Sequence, residues 1–192
     1  MPMQQPMQQP MQHLAVIPAR GGSRRIPRKN IKPFAGKPMI AYALQAAQQS
    51  GLFAHILVST DDAEIADVAR QYGAEVPFLR PAELADDHSG VIPVVQQSIQ
   101  ACRDIGWQFD AVCCIFPCVP LLQSADLVQA LQIMQQAQAD FSFAVSEFPS
   151  RIQRALRREA NGAMQAFFPE HTATRTQDLE AAYFDVGQFY WG

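Results

Sequence analysis

The sequence predicts an α/β domain with a largely parallel sheet, because short apolar runs alternate with amphipathic helical stretches and polar loops follow the runs. The alternation holds from Leu14 to Val145 and breaks beyond it. Residues 1–13 come before it. They repeat Pro-Met-Gln from Pro2, Pro6 and Pro10, carry no charged side chain and have no packing period, which reads as a disordered tail. Leu14 to Ile17 is an apolar run closed by Pro18, a buried strand that feeds a basic loop. Pro38 opens a helical pattern through Gln49, with Met39, Ile40, Ala43, Leu44 and Ala47 on its apolar face and Ser50-Gly51 as the stop.

A second strand and helix follow. His55 to Val58 reads as the strand, Asp61 and Glu64 as a capping pair, and Ile65, Val68, Ala69 and Tyr72 share one helical face. Ala74 to Leu79 reads as extended, Val91 to Cys102 as helix and Ala111 to Phe116 as a buried strand. Ser124 to Ala137 is a capped helix, and Phe141 to Val145 another strand. From Arg154 to Phe168, two β-like runs flank Asn161-Gly162, a hairpin signal and the start of an antiparallel insertion. The aromatic run Gly187 to Gly192 reads as a final strand with no helix after it, and is expected to leave apolar surface exposed.

With 192 residues, of which 48% are hydrophobic and 17% charged, the chain can bury one core without disulfides or a structural metal. It has no apolar stretch of membrane-spanning length and no charged-then-apolar leader, so a soluble cytoplasmic protein without a membrane partner is expected. Cys102, Cys113, Cys114 and Cys118 have no zinc spacing and read as buried thiols. The net charge of −3 argues against a nucleic-acid partner. Yet seven of the fifteen Lys and Arg lie between Arg20 and Lys37 with no acidic residue among them. Such a segment is either a solvated basic loop or the site of an anionic partner.

Residues 17–30 (Ile-Pro-Ala-Arg-Gly-Gly-Ser-Arg-Arg-Ile-Pro-Arg-Lys-Asn) have the parts of a polyphosphate cradle. Adjacent glycines let backbone N–H groups approach an anion, Ser23 can donate, and the cations neutralise charge. The loop is neither a Walker A motif, since Pro38 follows Gly36-Lys37, nor G-x-G-x-x-G. In open α/β sheets ligands lie at the carboxyl ends of strands, where this loop, residues 59–62 and residues 117–122 all fall.

This segment resembles the signature of the CMP-sugar synthetases that activate sialic acids and their relatives, the CMP-N-acylneuraminate synthetase family. Val58-Ser59-Thr60-Asp61-Asp62, Arg80-Pro81-Ala82-Glu83-Leu84-Ala85 and Phe116-Pro117-Cys118-Val119-Pro120-Leu121 carry the likeness onward, in order. It runs from about Leu14 to Gly192. Within the family it is strongest to the pseudaminic acid branch, through Lys32-Pro33-Phe34, residues 36–42, Cys113-Cys114-Ile115, Phe148-Pro149 and residues 152–156. Residues 174–180 and 187–192 add to it, and Val186 stands where the sialic acid branch has Asn.

The resemblance implies a Rossmann-like nucleotidyltransferase domain over residues 14–192, with a small antiparallel dimerisation insertion at about 147–182. It implies attack of the anomeric hydroxyl of a nonulosonic acid on the α-phosphorus of CTP, with release of pyrophosphate. Arg20 and Lys29 would be catalytic. Gly21, Gly22, Ser23, Arg24 and Asn30 would complete the CTP site with them, and Arg80 and Ser89 would lie near the cytosine. Arg175, Gln177, Asp178, Tyr183 and Gln188 map to the sugar, with Gln153 and Arg154 as further candidates. From the residues alone, Arg80 reads as a surface residue, Asp61 and Asp62 as helix caps and His88 as a loop residue with no role. Phe167, Phe168, Phe189, Tyr190 and Trp191 read as packing rather than sugar stacking.

A homodimer and Mg²⁺ are further implications. The family holds its magnesium with an Asp-x-Asp stretch downstream of the last aromatic motif, and no Asp follows Asp185 here. The metal ligands therefore stay unassigned, and the chain is expected to be truncated at its C-terminus. Two alternatives stay open: the same reaction on sialic or legionaminic acid, and a truncated, catalytically silent nucleotide-binding module.

Overall fold

Leu14, Ala15, Val16 and Ile17 are all fully buried, which successive strand residues achieve only when both faces of their sheet are covered. The computed structural model, which describes residues 12–86 and 90–192, places them in β1 (His13–Pro18), an interior strand of a five-stranded sheet. β1 pairs in parallel with β4 (Phe53–Ser59) on one side and β5 (Ala111–Ile115) on the other. β9 (Tyr183–Trp191) then pairs antiparallel to β5, and β6 (Ser142–Glu147) completes the order β4-β1-β5-β9-β6. Leu14, Val16 and Leu57 pack with Cys102 and Val95 of α3 (Val91–Asp104). The alternate residues Ala15, Ile17, Val58, Cys113 and Ile115 are buried as well. Strand positions on the two faces are thus both apolar, the pattern of a doubly covered sheet.

Between β1 and β4 lie a two-stranded ribbon, β2 (Pro33–Phe34) with β3 (Lys37–Pro38), and α1 (Ile40–Ser50), which packs on β4 and on α4 (Ser124–Ala137). The helix predicted from Pro38 starts at Ile40, because Pro38 is taken by the ribbon. Gly51 ends α1 in the left-handed region, φ 66°, where a residue without Cβ is unstrained. Of the two carboxylates read as caps, Asp62 caps α2 (Ala63–Gln71), its side chain accepting the Ile65 N–H at 3.0 Å, and Asp61, read as the partner of Glu64, does not. Residues 74–79 form no strand but meet β4 through a parallel bridge, Leu57 to Glu75.

The predicted disordered tail falls largely outside the described residues. His13, however, is the first residue of β1 and only 5% exposed, so the ordered chain starts earlier than the pattern implied. The final aromatic run, paired along β5, is better buried than expected: Phe189 is 2% and Trp191 0% exposed. Trp191 stacks on Phe53 at 5.3 Å and donates its indole N–H to the Leu127 carbonyl at 3.1 Å. Beside it an apolar groove lined by Val91, Ile92, Val95, Ile99, Phe141 and Trp191 stays open, with Phe141 72% exposed.

The chain divides into two compact units, residues 1–143 with 188–192, and residues 144–187. The second contains the predicted hairpin, β7 (Leu156–Arg158) and β8 (Met164–Ala166), paired Leu156 to Ala166 and Arg158 to Met164. Its turn uses Gly162 at φ 87°. Within this unit Arg154 donates to the carbonyls of Thr172 and Thr174, closing the segment after β8 back onto the turn before β7. All four cysteines are free. Burial pushes Cys102 up to about 11 and Cys114 to about 12, and Cys113 well above the ordinary thiol value, so these three are poor nucleophiles.

Two stability outcomes follow from this core. Trp191→Ala should cost about 3–5 kcal/mol, the usual result of emptying a buried indole site, measured as a shift in the denaturation midpoint; an unchanged midpoint would mean β9 is not part of the cooperative core. His13 meets Trp191 edge-on at 5.5 Å, and its Nδ1 is buried with no hydrogen-bond partner. Burial lowers its pKa from the ordinary 6.5, opposed by Asp110 and by Gln12. The unfolded chain therefore takes up the proton first, so this contribution to stability is intact above pH 6.5 and declines as the pH falls below it. His13→Phe should flatten that acid slope, and equal slopes for the two proteins would assign it to another group.

Candidate active site

Because β4, β1 and β5 are parallel, Ser59, Pro18 and Ile115 end at one edge of the sheet, and the loops leaving them meet there. They border a cavity of about 720 Å³, within the usual range for small-molecule sites. Arg20, Ser23, Arg24, Arg25, Lys29 and Asn30 line it from the loop after β1. Arg80, Val91, Val94, Phe116 and Pro117 close the rest. Gly21 and Gly22 lie on the other side of the loop, where with Ser23, Arg24, Arg28 and Asp86 they border a second hollow of about 550 Å³. Ser89 and His88 lie outside the described residues.

The loop is held by specific bonds at each turn. The Ala19 N–H donates to the Ser59 carbonyl at 2.9 Å, tying its start to the end of β4. The Gly21 N–H donates to Asp61 Oδ1 at 3.0 Å, and the Ser23 N–H to the Gly21 carbonyl at 2.9 Å, so both amides are engaged within the protein. A Cβ on Gly21 would come within 2.5 Å of Asp62 Oδ2, which is a steric reason for glycine there. Asn30 is 3% exposed; its amide donates to the Arg20 carbonyl at 2.9 Å and its oxygen accepts from the Cys118 thiol at 3.4 Å. It therefore joins the β1 loop to the β5 loop as well as facing the cavity.

Arg28 adopts φ 56°, a left-handed conformation that few residues with a Cβ take up. Its guanidinium pairs with Asp62 and with Glu64. The hydrogen bond from Arg28 holds the Asp62 carboxyl below the usual carboxylate range, and the same bond raises Arg28. The next residues, Lys29–Ile31, form a single 3-10 turn, with the Ile31 N–H on the Arg28 carbonyl at 3.1 Å. Lys29 and Asn30 are thus aimed by the turn that Arg28 begins.

Arg80 is only 6% exposed, unlike the surface residue its place before Pro81 suggests. It donates Nε–H to Ser59 Oγ at 3.1 Å and Nη2–H to the Ser59 carbonyl. Burial lowers its pKa, Asp61 opposes that, and the positive charge of Arg20 adds to it. The mutual repulsion of two cations on one cavity is a cost that a bound anion removes.

The sugar-site candidates do not all fall together. Arg175 and Asp178 form an exposed ion pair at 2.7 Å. Gln177 borders a hollow of about 480 Å³ with Glu147, Phe148, Ser150, Arg151 and Thr176, and Tyr183 is 60% exposed. Four of the five positions named for the sugar, Arg175, Gln177, Asp178 and Tyr183, belong to the unit 144–187. Gln188 belongs to the other unit, where its carbonyl accepts the Phe116 N–H at 2.9 Å. Gln153 keeps a buried side-chain oxygen without a partner. Among the described residues no three His, Cys, Asp or Glu side chains group as a metal site. Asp61 and Asp62, the acidic pair behind the loop, are engaged by the Gly21 N–H and by Arg28.

Sequence reasoning read Asp62 correctly as a helix cap but did not find the contacts of Asp61 with Gly21, of Asp62 with Arg28, or of Cys118 with Asn30. A signal for the first two was present: two adjacent carboxylates directly after a strand, in the same chain as a loop of seven cations with no acid of its own.

The cytidylyltransferase family profile matches residues 14–185. A pseudaminic acid cytidylyltransferase of Campylobacter jejuni is 44% identical over 181 residues, covering 94% of this chain and 78% of that protein. A CMP-N,N'-diacetyllegionaminic acid synthase of Legionella pneumophila is 46% identical over 120 residues, 62% of this chain and 52% of that one. In fold, the chain is similar to a CMP:2-keto-3-deoxy-manno-octonic acid synthetase solved with CTP, with a TM-score of 0.68 at 20% identity over 94% of this chain and 73% of the other. With the basic loop at the common end of three parallel strands and this match across nearly its whole length, the chain belongs to the cytidylyltransferase family.

Proposed function

We propose that this enzyme transfers CMP from CTP to the anomeric hydroxyl of pseudaminic acid, releasing pyrophosphate. The observation that carries the reading is the cavity at the strand ends, where Arg20 and Lys29 from the loop after β1 meet Arg80 from the segment after α2. Attack of the sugar oxygen forms a new bond at the α-phosphorus as the bond to the bridging oxygen of pyrophosphate breaks. Such transfers ask the protein mainly for alignment and charge neutralisation. Arg20 and Lys29 are assigned to the charge on the triphosphate, with Ser23, Arg24 and Asn30 beside them. Arg80, held rigid by Ser59, is assigned to the cytosine side. Pseudaminic acid is chosen because the Campylobacter relative so named is 44% identical over almost the entire chain.

In this reading the nucleotide arrives as its magnesium complex, the ion coming with the substrate. A homodimer is proposed through the unit 144–187, whose Leu156, Met164, Phe167, Tyr183 and Phe184 are exposed between 41% and 60%. No helix among the described residues is long and apolar enough to cross a membrane. A cytoplasmic location is proposed because CTP is available there.

Pyrophosphate release with magnesium, CTP and a panel of nonulosonic acids tests the reading. Arg20→Ala and Lys29→Ala should each lower kcat/KM by about 2–3 kcal/mol of transition-state stabilisation, and normal turnover in both variants would remove the assigned cradle. CTP should be used well ahead of UTP, since a site built to hydrogen-bond one base leaves buried polar groups unpaired with another. Pseudaminic acid should be preferred to N-acetylneuraminic acid by several-fold or more, through Val186. Comparable kcat/KM for the two sugars would reassign the substrate within the family.

A further inference from the structure

The tandem carboxylates after β4 contact the basic loop at two separate points. Asp61 takes the Gly21 amide near the loop's start, 40 residues away in sequence, and Asp62 takes the Arg28 guanidinium near its end, 34 residues away. Both carboxylates are anchored by the end of β4: Ser59 and Thr60 are 1% and 0% exposed, and the Asp62 N–H donates to Thr60 Oγ1 at 3.2 Å. Capping accounts for one Asp62 contact, the bond from Ile65. It explains neither the turning of Asp61 toward the loop nor the pairing of Asp62 with a left-handed arginine. We propose that Asp61 and Asp62 are positioning residues that hold the loop in the shape that presents Arg20 and Lys29 to the nucleotide.

A residue with a Cβ at φ 56° lies in a sparsely populated region and stays there when its surroundings over-determine it. The Asp62 carboxylate does this for Arg28, and the turn that follows sets Lys29 and Asn30. Released to an ordinary helical or extended conformation, Arg28 would redirect both. At the other end, the Asp61 bond fixes the Gly21 peptide, the unit joined directly to Arg20. Seven cations in one loop repel one another, so without these two anions its compact form would be one of many conformers, and a ligand's apparent affinity falls with the fraction of the competent one. The nucleotide part of this inference rests on the proposed function; the clamp itself does not.

Amide hydrogen exchange on the full chain, with and without CTP, separates the two. Asp61→Ala should raise exchange in residues 20–32 about tenfold with β1 and α1 unchanged, and weaken CTP binding by about the same factor. Asp61→Asn, which keeps an acceptor oxygen, should restore most of that protection. Asp62→Asn keeps a good cap, so its Tm should move little while loop exchange rises. Arg28→Gln should reproduce it, and the double variant should be no worse than either single one. Loop exchange equal to wild type in both Asp61→Ala and Asp62→Asn would overturn the clamp, as would a rise shared by the whole domain. If wild type binds no CTP, the nucleotide reading fails, and the exchange comparison still decides whether the carboxylates hold the loop.

Discussion

The parallel pairing of β1 between β4 and β5 is the constraint on which the rest depends. It leaves no solvent-facing side on Leu14 to Ile17, so the polar and charged residues of this region are confined to the loops beyond Pro18, Ser59 and Ile115. Since all three strands run the same way, those loops share an edge. The concentration of basic side chains at the cavity is therefore a product of topology acting on an uneven sequence. Spread over an antiparallel sheet, the same residues would have emerged at opposite ends.

Concentrating cations creates a problem that the molecule resolves with partners for particular atoms. Arg80 is fastened to Ser59, Asn30 bridges Arg20 to Cys118, and Arg28 lies against Asp62 and Glu64. Asn30 and Arg80 border the cavity themselves, while Arg28 borders the second hollow. The outcome is a fixed scaffold with Arg20 and Lys29 directed into shared space, an arrangement suited to a ligand with several negative charges. A hydrogen-bonded amide at Gly21 changes the usual account of glycine in such a loop: the missing Cβ makes room for Asp62, and the amide is taken by Asp61.

The unit 144–187 follows different rules. Its hairpin is short, its apolar side chains are largely exposed, and its ion pairs, Arg151 with Glu147 and Arg175 with Asp178, are local in sequence. Exposed pairs of this kind contribute at most about 1 kcal/mol each. A segment with so little buried area of its own gains from anything that covers its aromatic residues.

By itself the sequence determined the order and type of most elements, because apolar periodicity reports directly on how many sides of an element are covered. It also determined that a strongly basic loop follows the first strand, since seven cations without an acid are legible as composition. The tertiary structure alone decided which carboxylate caps α2 and which holds the loop: Asp61 and Asp62 are equivalent in pattern and differ only in what the fold brings opposite them. It likewise decided that Arg80 is buried against Ser59 and that β9 closes on β5. Those outcomes depend on contacts between residues 21 to 78 positions apart, for which a linear pattern holds no distance information.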